Sequence, residues 1–208
     1  MIISFPDTSP CQPLTWAPAV RDNAIIMAQI HTPSDVAYIC GIISSRAEFF
    51  DDLTGPLESA IGPIAQESDI MPFDLTDYYQ PEMGSGLMKR FVSFAPGRAP
   101  GFLARAKLAT NEIEADFAKR FGPVLQRPVN IDPGYVTLAK LVLASMKDFS
   151  HRIYLSDGVY GEVTLQYHRS GWSCLDWTFP DFATGRYDEF LTSVRSTLMP
   201  GSKCDGVK

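Results

Sequence analysis

Val36 to Ile43, VAYICGII, is an eight-residue stretch with no charge and four β-branched side chains. A half-exposed strand alternates apolar and polar residues, and an amphipathic helix repeats its apolar residues every three or four. This run does neither, so it reads as a strand buried on both faces. Such a strand belongs in the middle of a sheet, and the rest of the chain is read outward from it.

A helix follows at once. Ser45 with Glu48 three positions on fits a capping box, and Phe50, Leu53, Leu57 and Ile61 recur at helical spacing before Gly62 and Pro63 stop the pattern. Gly55 and Pro56 fall inside it, and the proline removes a backbone bond, so a kink or short break is expected there. IAQESDIM (64–71) and LMKRFVSF (87–94) read as strands, the second alternating through Met88, Arg90, Val92 and Phe94. The clearest helix spans 101–121, where Phe102, Ala106, Ala109, Ile113, Phe117 and Phe121 repeat at intervals of three and four. Lys107, Asn111 and Glu114 form a second line about 100° round that helix, next to the apolar stripe instead of opposite it. PVNID (128–132) reads as a strand closed by a type II turn at Asp132-Pro133-Gly134. The order β-α-β-β-α-β is the split βαβ core of a ferredoxin-like α+β fold.

The remainder extends that core. Leu138, Leu141, Val142 and Ser145 suggest a short helix. A hairpin follows, with a three-residue loop Ser156-Asp157-Gly158 that puts Ile153, Leu155, Val159, Val163 and Leu165 on one face and Arg152 opposite Glu162. A third strand starts at Ser170-Gly171, and Tyr187 to Leu198 forms an amphipathic helix. The proline-rich stretch 1–23 reads as an extended arm pinned by Trp16, residues 24–199 as one α+β domain, and 200–208 as a frayed tail.

A composition of 45% hydrophobic and 20% charged residues suits a compact globular protein. The net charge of −6 argues against a long nucleic-acid surface, which needs a basic excess, while leaving room for a small anion in a local basic pocket. The four cysteines fall singly, without the spacing of a zinc site. With no basic n-region and no apolar run of roughly 20 residues, no secretory signal or membrane span is expected, and the cytoplasm is the expected compartment. Nothing in the sequence fixes the oligomeric state.

Three polar clusters are candidates for chemistry. In PFDLTDYYQPEMGSG (72–86), Asp74, Asp77 and Glu82 stand beside Tyr78 and Tyr79 on an irregular segment. Carboxylates gathered in this way hold a divalent cation, the one cofactor the sequence suggests, or act as an acid/base pair. The bland alternative is turn capping. In RPVNIDPGY (127–135), Arg127 precedes Asn130 and Asp132, which share a strand face suited to a ligand hydroxyl unless Asp132 serves only its turn. In KDFSHRIY (147–154), His151 lies between a carboxylate and cations, as a proton-transfer group does, although alternation also aligns it with Ile153. P-loop, dinucleotide, zinc-protease and serine-hydrolase motifs are absent.

These segments, with KLATNEIE (107–114), KLVLASMKD (140–148), HRIYLSDGVYGEVTL (151–165) and WTFPDF (177–182), resemble in this order the signature of domain-of-unknown-function family 4416. The resemblance runs from about Val36 to Leu198 and implies a stand-alone prokaryotic domain with no assigned activity or cofactor. Relatives commonly carry tyrosine where this chain has Phe179 and Phe182. The functional expectation is a small-molecule enzyme or ligand-binding domain for an anionic ligand, phosphorylated or nucleotide-like. In it Asp77, Glu82 and His151 do acid–base work, Asp74, Asp77 and Glu82 hold the cation, and Lys107, Asn111, Glu114, Arg127, Asn130, Lys147, Arg152, Tyr78 and Tyr79 bind. The alternative is a protein-interaction module with a patch of Tyr78, Tyr79, Trp177 and Phe179. The clusters at 72–86 and 147–154 are expected to meet at one site, bordered by the polar stripe of the long helix.

Overall fold

In this computed structural model residues 29–122 and 125–199 are described. The chain divides after Thr32, and the unit from Pro33 onward holds all the strands and helices that follow. The arm expected over 1–23, its anchor Trp16 and the tail 200–208 lie outside the described residues.

Strand β1, Ala37–Ser44, is buried at every position, as its unbroken apolar run requires. It pairs antiparallel with β4 (Met88–Phe94) on one side and with β5 (Val129–Val136) on the other. Tyr38, Cys40 and Ile42 pack with Phe49, Leu53, Leu57 and Phe117 of the helices α1 (Glu48–Asp52), α2 (Thr54–Ala60) and α4 (Leu103–Phe121). The alternate residue Ile39 packs with Phe91 and with Tyr187 and Leu191 around α6 (Asp188–Ser196). Full burial of each large side chain is worth about 1.5–3 kcal/mol.

The expected helix break near Gly55-Pro56 separates α1 from α2 at Leu53. The capping box does not form. Ser45 Oγ donates instead to the Met83 carbonyl at 2.8 Å, tying this turn to the 72–86 segment. IAQESDIM, expected as one strand, is split: β2 covers Ile64–Glu67, and β3 (Met71–Pro72) starts at its last residue, with a short helix α3 (Gln80–Met83) in the loop that follows. The 101–121 helix forms as expected, with a 3-10 turn at Pro100–Phe102 before it.

Two expectations are overturned around β5. Asp132-Pro133-Gly134 makes no turn: the strand runs on to Val136, and the segment read as a short helix is β6, Lys140–Ser145. The run Leu141 to Ala144 is buried throughout, and like β1 it is covered on both faces. The β5–β6 ladder pairs only Gly134, Tyr135 and Val136. Ile131 turns its N–H and carbonyl away from β1, and alternation points the nitrogen of Pro133 the same way. That nitrogen has no hydrogen to donate, so the ladder ends there and the strands part.

The hairpin combines one correction with one confirmation. Strands β7 (Ile153–Ser156) and β8 (Val159–His168) are joined by two residues, Asp157 (φ 51°) and Gly158 (φ 76°), both left-handed as a type I′ turn demands. A bulge at Leu155 then restores the expected register, so Tyr154 faces Tyr160 and Ile153 faces Gly161. Arg152 accordingly meets Glu162. The apolar face does not form as expected. Ile153 and Leu155 are exposed on the edge strand, and a second bulge opposite Leu141 and Val142 sends Val163 and Leu165 to opposite cores. Strand β9 (Gly171–Cys174) and a short helix α5 (Pro180–Ala183) lead into α6.

The described residues form an α+β unit with one antiparallel nine-stranded sheet, ordered β2-β4-β1-β5-β6-β8-β7, with β3 beside β4 and β9 beside β8. No helix among them is long and apolar enough to cross a membrane.

Gly134 marks where β5 and β6 touch. A Cβ there falls 2.4 Å from the Val142 carbonyl oxygen, a backbone atom with little room to move. Gly134→Ala is therefore expected to cost about 3 kcal/mol or more, read as a lower urea midpoint at unchanged slope.

Candidate functional site

Where β5 and β6 part, the sheet has an interior edge, and α4 fills it. Lys107 Nζ donates to the Ile131 carbonyl at 2.9 Å and to Asp132 Oδ1 at 3.1 Å, while Glu114 Oε1 accepts the Ile131 N–H at 2.7 Å. These two side chains replace the hydrogen bonds of the missing strand, which a buried backbone requires. This is why the polar line lies beside the apolar stripe: Lys107 is buried and the Glu114 side chain is 14% exposed.

On the face of the sheet opposite α4 a cavity of about 540 Å³ opens over this gap. Its floor is Gly41 and Ile43 of β1 and Asn130 and Asp132 of β5. Phe73, Tyr78 and Tyr79 of the 72–86 segment form one wall, and Phe179 with Phe182 forms another. Gly41 keeps the floor low, because a Cβ there lies 2.9 Å from the Phe91 ring.

Charged pairs line this space. Lys89 Nζ meets Asp181 Oδ2 at 2.7 Å, both side chains below 10% exposure, and Tyr187 donates its hydroxyl to the same oxygen at 3.1 Å. Four rings surround the ammonium: Phe73, Phe91, Phe182 and Tyr187, at 4.5–5.3 Å from their centroids. Across the cavity Arg152 Nε donates to Glu162 Oε2 at 2.7 Å, and His151 Nε2 reaches the same oxygen at 2.9 Å. His151 is stacked on Trp177 with 5.2 Å between centroids. Asp132 is also pressed by burial, which raises its pKa. The attraction of Lys107, the hydrogen bonds from Asn130 and Lys107, and the charge of Lys89 overcome this and hold it below the usual carboxylate range. Glu114 goes the other way, because burial outweighs Lys107, Arg127 and the Ile131 amide. Burial and then the charge of Asp132 push the Tyr79 phenol up, so it stays neutral.

The two polar loops do meet: Lys147 Nζ donates to the Tyr78 hydroxyl at 2.9 Å. Tyr78, Tyr79, Lys107, Asn111, Arg127, Asn130, Lys147 and Arg152 all line the cavity. Glu114 stands behind it on Arg127, and His151 stands behind Glu162. The carboxylates of the 72–86 segment stay outside. Asp74 pairs with Arg186 at 3.2 Å, Asp77 accepts from the Gln80 amide, and Glu82 lies 3.8 Å from Arg127. The shared cation expected on Asp74, Asp77 and Glu82 is thus corrected: they are spread along the loop surface, and among the described residues no three His, Cys, Asp or Glu side chains gather as metal ligands. The roles at the cavity expected for Asp77 and Glu82 meet the same geometry. Sequence reading missed Lys89, Asp181 and Glu162 as site residues and kept Asp132 for a turn. Lys89 alternates with Phe91 and Ser93 on β4, a pattern that reads as a polar face until α5 is placed over it.

Because the folded pKa of Asp132 is depressed, its contribution to stability is present above the unfolded value near 3.9 and lost as pH falls through the lower folded value. Asp132→Asn is expected to lower stability at pH 7 by about 1–3 kcal/mol, since it strips the carboxylate from buried Lys107. It should also flatten the acid limb of a urea-midpoint profile between pH 5 and pH 2, roughly the window that brackets these values.

Comparison with curated proteins and with solved structures yields no match. Residues 34–198, which hold every strand and helix from β1 to α6, match the family model described as a domain of unknown function, DUF4416, and the chain belongs to that family.

Proposed function

We propose that the cavity binds a small organic anion and that the protein is an enzyme or binding protein for it, acting in the cytoplasm. The observation that carries this reading is the lining charge. Five cations, Lys89, Lys107, Arg127, Lys147 and Arg152, face three carboxylates, Asp132, Glu162 and Asp181, in a chain whose net charge is −6. A cation excess concentrated in one cavity of an acidic protein favours an anion there. The aromatic walls suit an apolar or ring-bearing body. In the enzymatic form of this reading Glu162 is the acid–base group at the ligand, with Arg152 beside it in the cavity wall and His151 orienting it from behind. The interaction-module reading has less behind it, since Tyr78, Tyr79 and Phe179 line the cavity and Trp177 is stacked on His151.

We also read the half-sheet β2-β4-β1-β5 as ferredoxin-like. Its support is the strand order, with helices crossing between β1 and β2 and between β4 and β5.

Matched pairs test the ligand reading: benzoate against benzamide and phenyl phosphate against phenol, each in a thermal-shift titration. Ligands that bind only the folded state stabilise it by about 2.7 kcal/mol at a hundred times Kd. The anions should raise the melting temperature and the neutral partners should not. Equal shifts from the neutral partners would sink the reading.

A further inference from the structure

We infer that the ligand carries a phosphate monoester, bound where β5 and β6 part, between Arg127 and Lys147. This rests on the anionic-ligand reading and narrows it to one end of the cavity and one chemical class.

Three of the five cations are spent within the cavity itself. Lys89 is matched by Asp181 at 2.7 Å, Lys107 by Asp132 at 3.1 Å and Arg152 by Glu162 at 2.7 Å, and each of these carboxylates also lines the cavity. Their charges cancel as seen by a ligand. Lys147 differs: it makes no ion pair among the described residues, and its ammonium rests on the Tyr78 hydroxyl and ring, 5.3 Å from the centroid. Arg127 differs too. Its carboxylate partners Glu114, at 3.0 Å from Nη2, and Glu82, at 3.8 Å from Nη1, do not line the cavity; Nη2 also donates to Asn130 Oδ1, which leaves Nη1 without a hydrogen bond among the described residues. Among the described residues Lys147 is the lining cation without a carboxylate partner, and Arg127 is the one whose partners stand outside the lining.

Chain geometry puts them at the same end. Arg127 precedes β5 by two residues and Lys147 follows β6 by two, and the strands are antiparallel, so both stand at the open end of the gap. Neighbouring tyrosines carry them. Arg127 lies over Tyr79 at 5.6 Å and Lys147 over Tyr78 at 5.3 Å, and the two rings touch edge to face at 5.0 Å. Arg127 offers Nη1 while Nη2 stays on Glu114 and Asn130, and Lys147 adds a mobile point charge from the other strand, so the pair calls for an acceptor with more than one negative charge and oxygens in more than one plane. A phosphate monoester has three such oxygens. A carboxylate has two in one plane and a single charge. As Lys147 turns to the ligand, the Tyr78 hydroxyl is freed to donate as well.

The test uses the full chain and three probes, phenyl phosphate, inorganic phosphate and benzoate, titrated by calorimetry against the wild type, Lys147→Met, Arg127→Lys and the control Lys119→Met, whose side chain is 76% exposed in a surface pair with Asp116. Phenyl phosphate should bind tighter than benzoate. Lys147→Met should weaken both phosphates about tenfold, with benzoate changed less than about twofold. Arg127→Lys keeps the charge but has one nitrogen for Glu114, Asn130 and the ligand together, and should weaken phenyl phosphate by a similar factor. The control should match the wild type. Benzoate binding as tightly as phenyl phosphate, or phenyl phosphate indifferent to Lys147→Met, overturns the phosphate subsite and leaves the anionic-ligand reading standing. If no probe binds, both fall. Urea midpoints of the variants show whether a loss of binding reflects a loss of fold.

Discussion

The interaction on which the site depends is the substitution of side chains for a strand. Pro133 cannot donate to β6, the ladder ends at Gly134, and Ile131 is left with a donor and an acceptor aimed into the protein. An unpaired buried amide or carbonyl costs about 1–3 kcal/mol, so a parted sheet survives only where something else reaches both groups. Lys107 and Glu114 reach them from α4. Their charges then need partners, which brings in Asp132 and Arg127, and through Arg127 and Asp132 the side chain of Asn130. The cavity is thus lined by groups recruited first to keep a gap in the sheet open, and its polarity follows from that.

The same logic sorts what the sequence disclosed. Strand 36–43 and helix 101–121 were legible because each pattern admits one structure: a charge-free run with no alternation, and a stripe with spacings of three and four. Asp132-Pro133-Gly134 was not, because the tripeptide that favours a turn also suits a strand unpaired on one side and touched closely on the other. Leu141, Val142 and Ser145 have helical spacing by coincidence, within a run buried on both faces. For the hairpin, the cross-strand partner of Arg152 could be argued while the loop length could not, since a one-residue bulge exchanges one for the other.

The candidate site was legible in its cations and less so in its acids. Lys107, Arg127, Lys147 and Arg152 stood out by position, while Asp74, Asp77 and Glu82 drew attention by density and proved to serve the loop surface. Lys89 and Asp181 lie 92 residues apart, and neither has meaning until α5 is folded over β4. A lysine at an alternate strand position reads as solvent-facing unless the covering element is known.

The short β5–β6 ladder gives the sheet a mechanical character of its own. Five strands on one side, β1 to β5, and four on the other, β6 to β9, are two plates laced together over Gly134 to Val136, with Val136, Leu141 and Leu143 clamped beneath α6 at the laced corner. Away from that corner the plates are bridged by α4, whose core takes in Val129 and Ile131 of β5 together with Val142 and Ala144 of β6. Widening the gap would shear that shared core, so α4 acts as a splint across the seam and fixes a width that the strands themselves leave undefined.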